Sequence, residues 1–245
     1  MLLEEALAAV RAAHFDAEGR LCDYAALAGS REHQGLAECI AALEAFDPKR
    51  VRIPAQTAFW VNVFNAVVLR DSPELAAVGR VREVEGFFER ARLKVCDLAF
   101  SLDDIEHGLL RGNVPKYGHS RPPMRRDDPR LAYMPIAYDE RMHFAMYSAS
   151  RSSPPLRVFD GGKLDEQFED ATADYLRRSV RVEEQGALVI LPRQLYWYRE
   201  DFDGEKGALE FALTRLDEET VDLVDRRRGR VKLRYADFDW TLNRK

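Results

Sequence analysis

The segment at 55–70, AQTAFWVNVFNAVVLR, constrains the fold of this chain more than any other feature of the sequence. It contains neither glycine nor proline, and Pro54 stands directly before it. Its apolar side chains form a surface that is too wide for a helix exposed to water. We therefore predict a central buried helix with Pro54 in its first turn.

Asn62 and Asn65 lie three residues apart in this segment and share one face of the predicted helix. A buried amide without hydrogen bonds costs about 1–3 kcal/mol. Each amide must therefore have a partner. Either the two side chains fasten neighbouring backbone, or they line a polar binding site and orient a catalytic imidazole.

The rest of the chain predicts an α+β fold, a helix-rich domain around a small, mostly antiparallel sheet. Helical spacing extends over 3–10, 36–43 and 165–178. Strand patterns occupy 92–100, with a turn predicted at Cys96 and Asp97, and also 141–150 and 186–192. Ser101 is placed to cap a short helix at 101–111. Residues 112–130 have no periodicity and predict a long loop, which inside a compact domain is often functional.

With 245 residues, of which 46% are hydrophobic, the chain can bury a core. We expect one domain over 1–245, with residues 1–50 as peripheral N-terminal helices. The net charge of −5 gives no general affinity for nucleic acid. No apolar run of about 18 residues is present, so no membrane partner is expected.

The three cysteines have no metal-ligand spacing and form no CxxC pair. We expect neither a metal nor another cofactor. The acidic N-terminus does not resemble a signal peptide, and we expect a cytoplasmic protein whose partner is a small molecule or another protein.

Glu106 and His107 are neighbours on the short capped helix. Adjacent helical residues point about 100° apart, so we expect one side chain to face the core and the other to face solvent. Either one is a candidate general acid or base, and His107 is also a candidate binding residue.

His143 lies in the apolar strand pattern at 141–150 and is followed by Ser148 and Ser153. A histidine base and a serine hydroxyl are the residue types that nucleophilic catalysis needs. In a regular strand His143 and Ser148 would point to opposite faces, so a direct pair requires a bend. The alternative is a core histidine bonded to backbone, with serines that form a turn.

Six segments, taken in order, resemble the domain of unknown function family 547. They are AFWVNVFNAVVL at 58–69, SLDDIEHGLLRGN at 101–113, DDPR at 127–130, DERMHFAMYSASRSSPPLRVF at 139–159, WYREDF at 197–202 and DFDWTLN at 237–243. The resemblance covers nearly the whole chain beyond residue 20. It implies an α+β domain with a small sheet packed by helices, distantly similar to papain or transglutaminase.

The family motif around His143 resembles His-Phe-Ala-Leu followed by a turn with two cysteines that ends Cys-Pro-Pro. This chain has Ser148 and Ser153 at the two cysteine positions, and it retains His143, Arg151 and Pro154. A thiolate is nucleophilic near neutral pH, whereas a hydroxyl needs stronger activation. The resemblance marks Arg151 as a further binding residue.

Three hypotheses follow. The chain is a binding or scaffold domain whose thiol chemistry has lapsed, with Asn62, Asn65, His107 and Arg151 as binding residues. Alternatively it is a hydrolase or acyl transferase that uses His143 with Ser148 or Ser153, oriented by Glu106 or the asparagines. If the cysteines of relatives instead form a structural disulfide, their joint replacement says little about catalysis.

Overall fold

The computed structural model describes residues 2–227 and 229–245 and divides the chain into two compact units. The first unit runs to Gln167 and also contains Trp240–Lys245, and the second is Phe168–Asp239. The α+β class is confirmed, while the single domain over 1–245 and the likeness to papain or transglutaminase stay predictions. No helix among the described residues has the length and hydropathy needed to cross a bilayer.

The described α-helices and strands alternate in an irregular order along the chain. The helices are α1 (Leu3–His14), α2 (Tyr24–Leu27), α3 (Arg31–Ala42), α4 (Ile53–Arg70), α5 (Ser72–Val78), α6 (Leu164–Ser179), α7 (Arg193–Trp197), α8 (Gly204–Leu213) and α9 (Glu218–Asp225). The strands are β1 (Ala91–Val95), β2 (Leu98–Ser101), β3 (Arg181–Glu183), β4 (Leu188–Leu191) and β5 (Lys232–Tyr235).

Helix α4 is the buried centre of the first unit, as the sequence predicts. Its side chains from Ala58 to Leu69 are all buried. The Trp60 ring lies 5.1 Å from Phe59 and 5.2 Å from Phe100, centroid to centroid, and its indole N–H donates to the Tyr133 carbonyl at 3.0 Å. Burying each such side chain contributes roughly 1.5–3 kcal/mol, so α4 holds the unit together mainly through apolar packing.

Strands β1 and β2 form an antiparallel hairpin that closes through Cys96 and Asp97. Both turn residues have positive φ, at 49° and 61°, which is the conformation of the two-residue turns that match strand twist. The predicted turn at these two residues is confirmed.

The second unit contains a three-stranded sheet in the order β3-β4-β5. Strands β3 and β4 are antiparallel, whereas β4 and β5 are parallel. The sheet content is therefore small, as expected, but it is split between two sheets in separate units rather than gathered into one.

The strand predicted at 141–150 is wrong. Glu140–Phe144 is a 3-10 helix, and the Asp139 side chain caps it by accepting the Arg141 backbone N–H at 3.0 Å. In this fully described stretch residues 145–149 form no strand, and Ser150 makes a single bridge with Leu242. The reason is that the Asn65 side chain of α4 bonds the Ala145 carbonyl and the Tyr147 N–H, which a strand would have used for pairing.

Candidate functional site

Asn65 and Asn62 bind backbone with both ends of their amide groups. Asn65 donates to the Ala145 carbonyl at 3.1 Å and accepts the Tyr147 N–H at 2.8 Å. Asn62 donates to the Phe159 carbonyl at 2.7 Å and accepts the Phe159 N–H at 3.0 Å. Both side chains are fully buried. Of the two alternatives, the amides thus fasten neighbouring backbone, and they do so on both sides of the segment that contains the serines.

The serine turn, residues 148–153, is closed by its own hydroxyl groups. The Ser153 hydroxyl accepts the Ser148 N–H at 2.8 Å and donates to the Pro154 carbonyl at 2.9 Å. The Ser148 and Ser150 hydroxyls lie 3.1 Å apart. Within the described chain neither Ser148 nor Ser153 is hydrogen-bonded to His143. The hydroxyls therefore serve the turn.

The C-terminal segment Trp240–Lys245 pairs with the serine turn. The Arg151 N–H donates to the Thr241 carbonyl at 2.8 Å, and the Asn243 N–H donates to the Ala149 carbonyl at 3.1 Å. On the other side of the segment, the Leu242 N–H donates to the Gly79 carbonyl at 2.9 Å. The side chain of Arg151 is exposed, so Arg151 connects the turn to the C-terminal segment through its backbone.

The Asn243 side chain is buried against two tyrosines. Its carbonyl oxygen accepts from the Tyr24 hydroxyl at 2.6 Å and from the Tyr147 hydroxyl at 2.9 Å. Burial raises the pKa of both tyrosine hydroxyls, so both remain protonated and able to donate. Asn243 was not found by sequence reasoning, because a polar residue near a chain end resembles ordinary surface.

His143 is buried, and its Nε2 lies 3.5 Å from the Tyr138 hydroxyl. It precedes the serine turn on the 3-10 helix, so the argument that a strand would separate His143 and Ser148 no longer applies. Its imidazole is near enough to His107 to contribute to the low pKa of that residue, although burial of His107 is the larger cause.

Glu106 and His107 lie on a seven-residue π-helix, Asp104–Leu110, rather than on an α-helix. Ser101 caps it as predicted, since its hydroxyl accepts the Asp104 N–H at 3.0 Å and its own N–H donates to the Asp104 carboxylate at 2.8 Å. Glu106 is 8% exposed and His107 is 2% exposed. The expectation that one of them faces solvent is wrong, because the following loop covers this helix.

The imidazole of His107 has a defined hydrogen-bonding state. The Arg111 guanidinium donates to Nδ1 at 3.0 Å, and because arginine has only donors, the neutral ring carries its proton on Nε2. Burial lowers the pKa of His107 to about 3. At neutral pH the ring therefore offers an N–H donor without a charge, and Nε2 lies 3.9 Å from the Asp103 carboxylate.

A cleft of about 350 Å³ opens beside His107, and Ser101, Asp103, Lys116, His119 and Arg121 also line it. The Lys116 ammonium lies 2.8 Å from Asp103 and 2.9 Å from Glu89. Burial opposes the charge of Lys116, but these two carboxylates together raise its pKa, so the ammonium is held charged in the wall of the cleft.

The cleft loop, residues 113–124, is closed at its base by one side chain. The Asn113 amide donates to the Met124 carbonyl at 3.0 Å and accepts the Met124 N–H at 3.1 Å. Met124 is buried against the π-helix at Gly108, where an added Cβ would lie 2.7 Å from the Met124 methyl group. The loop predicted at 112–130 is thus present as far as Asp128, after which the 3-10 helix Pro129–Tyr133 begins, and Asn113 and Met124 anchor its first part. The sequence signal for the anchor was an apolar Met inside a polar segment.

No group of three or more His, Cys, Asp or Glu side chains in the described residues is arranged to hold a metal ion. Cys22, Cys39 and Cys96 are free thiols, and burial raises the pKa of Cys22 to about 12. Cys22 is therefore an inert packing residue at neutral pH.

One comparison with known proteins gave a match. A family model described as "Protein of unknown function, DUF547" matches residues 48–176, which is more than half of the chain. The matched range contains both asparagines, the π-helix, the cleft loop and the serine turn. No curated protein and no solved structure matches the chain.

Proposed function

The chain belongs to the protein family of unknown function DUF547, and we propose that this member is a non-catalytic binding domain whose ligand enters the cleft beside His107. The proposed partner is a small molecule. The proposed compartment is the reducing cytoplasm, which suits three free thiols.

The state of the serine turn is the observation that carries this proposal. A serine nucleophile needs a base within about 3 Å of its hydroxyl. Ser153 instead accepts from the Ser148 N–H and donates to the Pro154 carbonyl, and Ser148 contacts the Ser150 hydroxyl. Both candidate nucleophiles are engaged within the turn, and among the described residues neither is hydrogen-bonded to His143.

The size and the fixed walls of the cleft also support a binding function. Its volume of about 350 Å³ lies in the range of small-molecule sites, roughly 300–1,000 Å³. Its walls are fixed before any ligand arrives, since Asn113 closes the cleft loop and Lys116 is held by two carboxylates. Preorganised polar groups bind ligands with a smaller entropy loss.

The competing hypothesis is a hydrolase or acyl transferase in which His143 activates Ser148 or Ser153. Treatment with a fluorophosphonate probe, followed by mass spectrometry, separates the two. We expect no labelling of either serine. Labelling of Ser148 or Ser153 that disappears in His143→Ala would contradict the binding-domain proposal.

The binding itself is tested by limited proteolysis of the cleft loop during a screen of anionic, neutral and cationic metabolites. A ligand of the cleft will protect the loop in the wild type and in Ser148→Ala. Protection lost in Ser148→Ala, while the variant remains folded, would count against a cleft site that is independent of the serine turn.

A further inference from the structure

We infer that the cleft beside His107 takes an anionic ligand, one that carries a carboxylate or phosphate group, and that Arg121 and His119 of the cleft loop bind this group. The inference rests on the proposed binding function and names the chemical class of the ligand.

The acids that line the cleft already have cationic partners. The Lys116 ammonium forms ion pairs with both Asp103 and Glu89, at 2.8 and 2.9 Å. Asp104 is held by the Arg130 guanidinium at 2.7 Å and also accepts the Ser101 N–H. A cationic ligand would have to displace Lys116 or Arg130 from these close contacts. The acids are therefore structural, and they do not form an open cation site.

The cations of the cleft loop are different. Arg121 and His119 both line the cleft, both are exposed, and neither makes an ion pair with any described residue. Residues 113–130 contain five Lys or Arg against two Asp, a net charge of +3 in a chain whose total is −5. Lys116, Arg125 and Arg130 already form ion pairs with acids, so among the described residues Arg121 is the cation that remains open to an anion at the mouth of the cleft.

The donors offered to an anion lie at the rim of the cleft. At the floor, the Nε2 atom of His107 lies 3.9 Å from Asp103 and 4.0 Å from Glu106, so the floor is the acidic side of the cleft. At the rim, the Arg121 guanidinium offers the fork geometry that pairs with two oxygens of a carboxylate or phosphate. Pro122 and Pro123 follow Arg121 directly and restrict its backbone. The arrangement thus provides a guanidinium donor at the rim of a cleft whose acids already form ion pairs with Lys116 and Arg130.

Isothermal titration of the full-length protein with inorganic phosphate and with citrate tests the inference and distinguishes the two anion types. We expect one or both to bind, and Arg121→Ala to weaken binding by about tenfold or more, in the range of a charge-assisted hydrogen bond. The affinity of Arg121→Lys, which keeps the charge but lacks the forked guanidinium, will lie between those of the wild type and Arg121→Ala. Binding will weaken as salt is added.

Arg126→Ala is the matched control, because Arg126 is exposed on the same basic segment, has no ion pair among the described residues and does not line the cleft. We expect its affinity to equal that of the wild type. Equal weakening in Arg126→Ala and Arg121→Ala would overturn the inference, since it would indicate general attraction to the segment. No heat with either anion at about 10 mM would also overturn it.

The two proposals fail in different ways. If a cationic or neutral metabolite, spermidine for example, protects the cleft loop while phosphate and citrate do not bind, the anion inference is wrong and the binding function stands. If the fluorophosphonate labels a serine through His143, the binding function itself is wrong.

Discussion

Asn62 and Phe159 exchange two hydrogen bonds, so that a side-chain amide on α4 takes the place of a neighbouring strand. Asn65 does the same for Ala145 and Tyr147. The two asparagines thereby fix the chain on both sides of the serine turn. A buried amide can satisfy a donor and an acceptor at once, and no charged or apolar residue of similar size can do so.

We predict that Asn65→Asp lowers the free energy of unfolding by about 3 kcal/mol. A buried aspartate keeps the acceptor for the Tyr147 N–H, but it cannot donate to Ala145 when ionised and it buries a charge. Urea unfolding at neutral pH measures the loss. Gln56→Glu is the control, the same chemical change on the same helix at a half-buried position, and it will cost less than about 1 kcal/mol.

We predict that Ser153→Ala destabilises the protein by about 1–2 kcal/mol, because the Ser148 N–H loses its acceptor. Ser148→Ala will cost less, since among the described residues the Ser148 hydroxyl is hydrogen-bonded to the Ser150 hydroxyl alone. Thermal denaturation compares the two, with the exposed Ser120→Ala as a control. The reverse order of stability would show that the Ser153 hydroxyl does not close the turn.

Cysteines at 148 and 153 would be able to form a disulfide. The Ser148 nitrogen lies 2.8 Å from the Ser153 hydroxyl oxygen. Standard bond lengths then keep the two Cα atoms within about 6.7 Å, inside the range that disulfides span. We therefore expect Ser148→Cys/Ser153→Cys to lose two reactive thiols on mild oxidation, measured by mass spectrometry after alkylation. Each single variant will retain its added thiol.

The buried imidazole of His107 makes stability depend on pH. Its pKa in the folded protein is about 3, below the usual value of 6.5, because burial opposes the charge. Between these values the unfolded chain binds more protons, so stability falls as the pH decreases from about 6.5 toward 3. The slope from this residue approaches about 1.4 kcal/mol per pH unit. His107→Gln will flatten the dependence of urea unfolding on pH.

The sequence predicted the elements whose signals are local. The wide apolar surface of α4, the hairpin turn at Cys96 and Asp97, and the cap at Ser101 all follow from residues close together in the chain. The same signals indicated a loop at 112–130 and correctly required partners for Asn62 and Asn65.

The segment after His143 was predicted wrongly because its conformation depends on distant residues. Its apolar pattern resembles a strand, but Asn65, 82 positions from Tyr147, takes the backbone hydrogen bond there. The burial of both Glu106 and His107 has a similar cause. Helical geometry placed them on different faces, but the cleft loop, which packs Met124 against Gly108, covers this helix.

We predict that Asn243→Ala increases hydrogen exchange at the Arg151 amide and costs about 1–3 kcal/mol, since it removes the acceptor shared by the Tyr24 and Tyr147 hydroxyls and leaves these two hydroxyls to bond each other, at 2.6 Å. Lys245→Ala, an exposed change two residues away, is the control, and its Arg151 amide will exchange at the wild-type rate. Unchanged protection of Arg151 in Asn243→Ala would mean that the backbone pairing alone holds the segment.

Because Trp240–Lys245 pairs with the serine turn, the part of the chain needed to complete this fold extends beyond the range that the family model matches. The family model ends at residue 176, yet Thr241 and Asn243 supply partners to residues within it. A fragment cut to the matched range would leave the turn with open backbone donors and acceptors. In evolution, Tyr147 and Asn243, whose side chains are hydrogen-bonded at 2.9 Å, are the positions expected to change in concert, and comparisons restricted to the matched range would not detect that coupling.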